Sequence, residues 1–298
     1  MPFRFRRSDG TVEAGVRRIA CEQIDRALEA IRAADEDRAE QAVHEVRRRI
    51  KAVRALLRLV RPAFAGFDLE NAAFRDMGRM LAPARDGKIL TDTLDALAGQ
   101  SDVPLDAQRI ASLRKRLGGA AAQSRPLHRV LAQCEEALIA ARVRAAGWSL
   151  QADGWDALDV GFARTVRAAR RAMRDLAESG DPHCSHEWRK QVKYHWHHMR
   201  LLRGVADRPA ETRIERATRL ADLLGDRHDL DLFVETLPGK ATRADAAIID
   251  RLVLMANRRA RHLGHDARAC GTALFDEKPR KLAARWRERW EDWARELA

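Results

Sequence analysis

The chain has 298 residues, enough for one large domain or two of ordinary size with a substantial core. Its 56 Lys+Arg against 44 Asp+Glu give a formal charge of +12, which favours a polyanionic partner such as nucleic acid, phosphate polymer or anionic lipid. Aromatic residues make up only 5%, which counts against base-stacking single-strand binders, and Cys21, Cys134, Cys184 and Cys270 form no CxxC pair and read as free thiols of a reducing compartment.

Read from the N-terminus, MPFRFRRSDG is charged and leads into no apolar run, so no signal-peptide pattern is visible. No later stretch approaches the roughly 18 apolar residues of a membrane span, and the expected setting is the cytoplasm, with no membrane partner. Strand-like alternation is confined to the first dozen residues. Beyond them apolar residues recur at helical spacing, as in Val16, Ile19, Ala20, Ile24, Ala27, Leu28 and Ile31, and the pattern predicts an all-α fold. Breaks fall at 61–68, 82–87, 97–104, 118–126, 150–156, 178–183, 204–209, 224–229 and 237–242, where Gly, Pro and capping Asp or Ser gather. This leaves about ten helices joined by short connections, the pattern of packed bundles.

A long repeat underlies the order. His44 begins HEVRRRIKAVRALLRL and His186 begins HEWRKQVKYHWHHMRL, both following H-E-x-R-[RK]-x-[IV]-K, with Arg58 and Arg200 in matching places. Downstream, RMLAPARDGKIL (79–90) parallels DLLGDRHDLDLF (222–233). The offsets are 142 and 143 residues, so the chain reads as a duplicated unit, 11–150 and 151–298, with a seam near LQADGWD.

At about 100° per residue, His186, Arg189, Lys190, Lys193, His197 and Arg200 share one helical face, and Trp188, Val192, Met199 and Leu202 lie away from it. In the first copy His44, Arg47, Arg48, Lys51 and Arg58 share a face with Arg54 at its edge, and Val46, Ile50, Val53 and Leu57 point away. Like charges at i,i+4 weaken a helix, so two such stripes in the same register argue for an anion that neutralises them. A solvated face is the plain alternative, and the repetition tells against it. Arg164, Arg167, Arg171 and Arg174 form a further series on the helix before His186, and Arg17, Arg18 and Lys278 are lesser candidates.

Asp86 and Asp229 stand just before apolar helical runs and read as N-caps rather than catalytic acids. Glu45 and Glu187 sit in first turns, where a carboxylate suits the helix dipole. HCSH (183–186) and HWHH (195–198) contain metal-ligand types, but Arg189, Lys190 and Lys193 crowd the same helix and most of these histidines have no counterpart in the first copy. No P-loop, nucleophile elbow or carboxylate cluster is present, so neither an enzyme nor a cofactor is indicated.

The two H-E-x-R-[RK] helices, the LAPARD and LGDRHD turns and the C-terminal ALFDEKPRKLAARW (273–286) together resemble the CHAD family, the conserved histidine α-helical domain. The resemblance implies two pseudo-symmetric antiparallel helical bundles around a basic central pore or groove. It also implies non-catalytic binding of inorganic polyphosphate, in the cytoplasm and at polyphosphate granules. By position, His44, Arg47, Arg48, Lys51 and Arg58 would line one side and His186, Arg189, Lys190, Lys193, His197 and Arg200 the other, with Arg54, Arg167, Arg171 and Lys278 as contributors. The copies differ in having Trp196 where the first has Arg54, and in the extra His195 and His198. A histidine beside phosphates is favoured in its charged form, so binding is expected to strengthen below neutral pH. The alternative reading is a nucleic-acid-binding helical protein using the same basic faces, although little in the chain could read bases.

Overall fold

Helix starts follow local chemistry. The Thr11 hydroxyl accepts from the Ala14 N–H at 3.1 Å and opens α1 (Val12–Arg32). The Asp181 carboxylate accepts from the His183 N–H at 2.8 Å and Pro182 takes the first position of α8 (Pro182–Leu201), where its missing N–H costs nothing. Between them lie α2 (Ala39–Val60), α3 (Phe67–Met80), α4 (Pro83–Ala98), α5 (Ala107–Ala122), α6 (Leu127–Ala146) and α7 (Asp159–Ser179). After α8 come α9 (Asp207–Thr236), α10 (Ala246–Phe275) and α11 (Pro279–Arg295). The computed structural model describes residues 3–35, 38–81, 83–100, 105–122, 127–240 and 242–296, and among them there is no strand. None of these helices is long and apolar enough to cross a membrane.

Helix α1 packs on α2 and α6, and α3 packs on both α2 and α6. In the second half α7 packs on α8 and α11, α8 on α9, and α9 along α10. The motif helix α2 touches both α7 and α8, so one continuous core runs from Ile19, Val46 and Leu56 to Phe162, Trp188, Leu224 and Trp286. A second core forms where the α4–α5 hairpin lays Leu90, Leu94, Leu113 and Leu117 against Leu230, Phe233 and Leu252 of α9 and α10. Each buried leucine of this kind removes apolar surface worth about 1.5–3 kcal/mol from water.

The α2–α7 crossing depends on Gly161. A Cβ there would overlap the backbone carbonyl of Leu59, so the two helices approach closer than any side chain permits. The first residues also join the core: Phe3 and Phe5 are buried while Arg4 and Arg6 are not, and the Phe5 N–H donates to the Leu201 carbonyl at 3.0 Å. The alternation seen there in sequence belongs to a non-helical arm that packs across the end of α8.

One expected break is absent. Helix α9 runs without interruption through 224–229, so Asp229 lies inside the helix and is no N-cap. A lone glycine costs a helix about 1 kcal/mol and does not end it, and no proline follows. Asp86 falls in the first turn of α4, and its side chain lies outside the described residues.

Candidate functional site

The two motif helices lie side by side and antiparallel. Arg58, near the end of α2, stacks over the Tyr194 ring of α8 at 4.5 Å, and His198, near the end of α8, donates from Nε2 to the Ala55 carbonyl at 3.0 Å. Lys51 is felt by His197, and Arg48 and Arg49 by Arg200. The stripes therefore run past each other head to tail, His44 toward Arg200 and Arg58 toward His186.

Along α2, His44, Arg48 and Lys51 are exposed. Arg47 is half-buried and donates to the Gly78 carbonyl of α3 at 3.2 Å. Partial burial works to raise the Glu45 carboxyl, but hydrogen bonds from Arg48 and Arg49 outweigh it and hold it below the usual range. Arg54 reaches α3, where its Nε donates to Asn71 Oδ1 at 3.3 Å. Burial lowers its pKa, neighbouring Arg58, Arg75 and Arg79 add to the depression, and Tyr194 opposes it.

Along α8, Glu187 takes the place of Glu45 and pairs with Lys190 at 2.6 Å. Arg189 packs its guanidinium on Gly225 of α9, where a Cβ would stand 3.0 Å from Nη2. This explains the glycine inside α9: it makes room for a motif arginine. The Lys193 Nζ and the Arg200 guanidinium lie 5.6 Å and 4.6 Å from the Trp196 ring centroid, and Arg200 also lies 5.7 Å from Phe3. Burial lowers the pKa of Arg200, with Arg48, Arg49 and Arg203 as further causes. Among the described residues no carboxylate pairs with Arg54, Arg58 or Arg200, and the buried Arg58 Nε makes no hydrogen bond. Half-buried cations without an ion-pairing carboxylate, Arg58 having only the longer-range field of Glu187, are costly, and an anion that reaches them recovers that cost.

The histidines separate into different roles. His186 keeps an accessible edge, with its ring 4.9 Å from His228 of α9. Desolvation, followed by His228, Lys190 and Arg189, lowers its pKa to about 4, so in the unliganded protein it is neutral at pH 7. His197 is buried, edge-on to Phe3 and Trp196, with its pKa pushed well down by burial and then by Arg200. Neither ring carries a charge into the stripe at neutral pH, so a charged form requires an anion nearby that raises the pKa. His195 accepts from Arg213 Nε at 3.2 Å and His198 donates to the Ala55 carbonyl, both rings packing on Phe162, so each is already engaged. Among the described residues no group of three or more His, Cys, Asp or Glu is placed to hold a metal ion.

Three further candidates lie elsewhere. Arg167 and Arg171 are exposed on α7, and Arg167 faces the turn between α10 and α11, on whose other flank Lys278 stands. That turn packs against His195, on the opposite side of α8 from His186. Arg17 and Arg18 are held by Glu13, Asp9 and Glu22. A cleft of about 560 Å³ next to His44 and Arg47 brings in Lys88, Arg259 and the carboxylates of Asp92, Asp226 and Asp229. Sequence pattern missed Tyr194 and Trp196 as platforms for arginines, and Arg75 and Arg79, which α3 brings to Arg54. Arg79 does open the downstream repeat, which was the available signal.

A family model for the CHAD domain matches residues 21–238. No curated protein matches the chain. Among solved structures it is similar to PptA from Streptomyces chartreusis, with 15% identity and a TM-score of 0.62 over 88% of this chain and 98% of that one, a likeness of fold. With the matched span covering most of the chain and including both H-E-x-R-[RK] helices, the chain belongs to the CHAD-domain family.

Proposed function

We propose that this protein binds inorganic polyphosphate without cleaving it, along the paired stripes of α2 and α8. The observation that carries this reading is the set of half-buried arginines, Arg54, Arg58 and Arg200, that lack carboxylate partners among the described residues. Arginine forks grip phosphate oxygens in pairs, and lysines such as Lys51 and Lys193 add point charges. An unbranched phosphate chain has no bases to read, and the stripes supply charge without base-reading chemistry. In the same reading 11–150 and 151–298 are two copies of one helical unit, related by a pseudo-twofold axis near the α2–α8 crossing. The stripes then form a basic groove at that axis. The working setting is the cytoplasm and its polyphosphate granules.

Calorimetric titration with long-chain polyphosphate tests the reading. Binding should weaken steeply with salt, as for any polyanion that sheds counterions. Charge reversal of Arg189 and Lys193 together should abolish it; normal binding by that double variant would remove the stripes from consideration. DNA or RNA displacing polyphosphate at equal phosphate concentration would favour a nucleic-acid partner instead. Shortening of polyphosphate during incubation with magnesium or manganese would point to an enzyme.

A further inference from the structure

The turn between α10 and α11, residues 276–278, gathers a second set of cations away from the α2–α8 stripes. Arg170 of α7 ties the turn down, donating to the Asp276 and Glu277 carbonyls at 3.2 and 2.8 Å. On one flank lie Arg167 and Arg174. On the other a depression of about 900 Å³ is lined by Arg213, Arg216, Lys278, Lys281 and Arg285.

Two of the three carboxylates that line this depression are engaged close to home, and the third, Glu288, is exposed at its rim. Asp276 Oδ1 accepts from the Glu277 N–H at 2.6 Å, and Glu277 pairs with Arg285. Among the described residues Arg216, Lys278 and Lys281 form no ion pair. Arg213 is fixed at the inner wall, donating from Nε to His195 Nε2 at 3.2 Å and from Nη2 to the Leu274 carbonyl at 2.7 Å. Both of those acceptors are neutral: burial pushes the His195 pKa well below its ordinary value, and a backbone carbonyl carries only a partial charge. Burial, with Arg285 next, lowers the Arg213 pKa to about 10 against the opposing pull of the Glu277 and Asp276 carboxylates, which still leaves it charged at neutral pH. A half-buried guanidinium hydrogen-bonded to neutral acceptors, faced by two exposed lysines and an exposed arginine, is the chemistry of an anion site.

We infer that the α10–α11 turn is a second, separate site for a short oligophosphate anion, held between Arg213 and Arg216 of α9 and Lys278 and Lys281 at the start of α11. The inference goes beyond the stripe reading, because the turn lies across α8 from His186 and binds whether or not the stripes do. The shared chemistry is a chain of a few phosphoryl groups, which can be free or part of a longer polymer.

The test is calorimetry of the full chain with tripolyphosphate, comparing wild type, Arg216→Glu/Lys281→Glu and Arg189→Glu/Lys193→Glu. Arg216 and Lys281 are exposed, so the fold should survive, and Arg216→Gln/Lys281→Gln repeats the experiment without reversed charge. Two binding events are expected in wild type, with the turn variants losing one at least tenfold and the stripe variant retaining that one. Unchanged stoichiometry and affinity in both turn variants would overturn the inference, as would loss of all tripolyphosphate binding in the stripe variant. Long-chain polyphosphate then identifies the source. Weaker long-chain binding in the turn variants assigns the site to the same polymer, and unchanged long-chain binding with lost tripolyphosphate binding assigns it to a free anion. The stripe variant binding long chains normally would sink the stripe reading alone.

Discussion

The Arg58 guanidinium lies 4.5 Å from the centroid of Tyr194, so a cation from the first motif is carried by an aromatic ring from the second. Tyr194 is buried, and its ring offers Arg58 a π-face in place of water. The contact holds the guanidinium partly desolvated at the point where α2 and α8 pass. Tyr194→Leu keeps an apolar side chain but removes the π-face. We expect it to lower stability by about 1 kcal/mol in urea unfolding. Polyphosphate affinity should fall several-fold because Arg58 is no longer aimed. Tyr194→Phe should leave both nearly unchanged, and equal losses in the two variants would mean that the ring does not position Arg58.

Gly225 tests the same logic from α9. Alanine there improves helix propensity by about 1 kcal/mol, but its methyl group would stand 3.0 Å from Arg189 Nη2 and displace the guanidinium. Gly225→Ala should therefore fold as well as wild type or better, yet bind polyphosphate more weakly by about tenfold. Denaturant midpoints and calorimetry on the same preparation separate the two effects. Weakened binding together with lowered stability would show that the methyl group disturbs more than Arg189.

This pair also shows what the sequence could and could not disclose. The stripes on α2 and α8 were legible because a duplicated pattern is independent of any one residue, and helical spacing assigned nearly all their members to one face. His197 was placed on that face by angle alone, but rotation about a helix axis does not reveal which part of a face a neighbour covers. The N-terminal arm and Trp196 cover it. Gly225 looked like a helix stop because a missing side chain reads the same way whether it ends a helix or admits an arginine from another. Contacts such as Arg58 with Tyr194 link residues far apart in the chain, and no local pattern records them.

Gly161→Ala should behave in the opposite way to Gly225→Ala. Its Cβ would collide with the Leu59 carbonyl, which is backbone and cannot rotate aside, so α2 and α7 would have to separate. Overpacking of this kind costs typically 1–3 kcal/mol, and a rigid backbone obstacle puts it at the upper end or beyond. Thermal unfolding of the variant should fall by several degrees or more, with binding lost in proportion to the unfolded fraction.

The pH dependence of binding changes its expected source. With a pKa of about 4 in the unliganded protein, His186 gains no proton between pH 8 and 6 unless bound phosphate raises it by more than two units. We expect His186→Gln to lower affinity to a similar extent at both pH values, as loss of a neutral hydrogen-bonding ring. A loss confined to pH 6 in calorimetry would show instead that the bound polymer charges His186.

Stability, in contrast, should depend on pH through His198. Its ring is buried, Nε2 donates to the Ala55 carbonyl, and desolvation lowers its pKa from 6.5 to about 4. The folded state therefore keeps His198 neutral where the unfolded chain binds a proton. Its contribution is fully present above pH 6.5 and is lost as pH falls toward 4. At 1.36 kcal/mol per pH unit this one residue removes on the order of 3 kcal/mol over that window. His195 and His197, also buried with lowered pKa values, act in the same direction. Urea midpoints measured from pH 8 to 4 should fall steeply below 6.5, and His198→Gln, which keeps a donor for Ala55 but cannot titrate, should flatten the fall. A variant with the wild-type slope would mean that the His198 ring takes up its proton without leaving the folded state, and that the α2–α8 crossing is open to water at its centre.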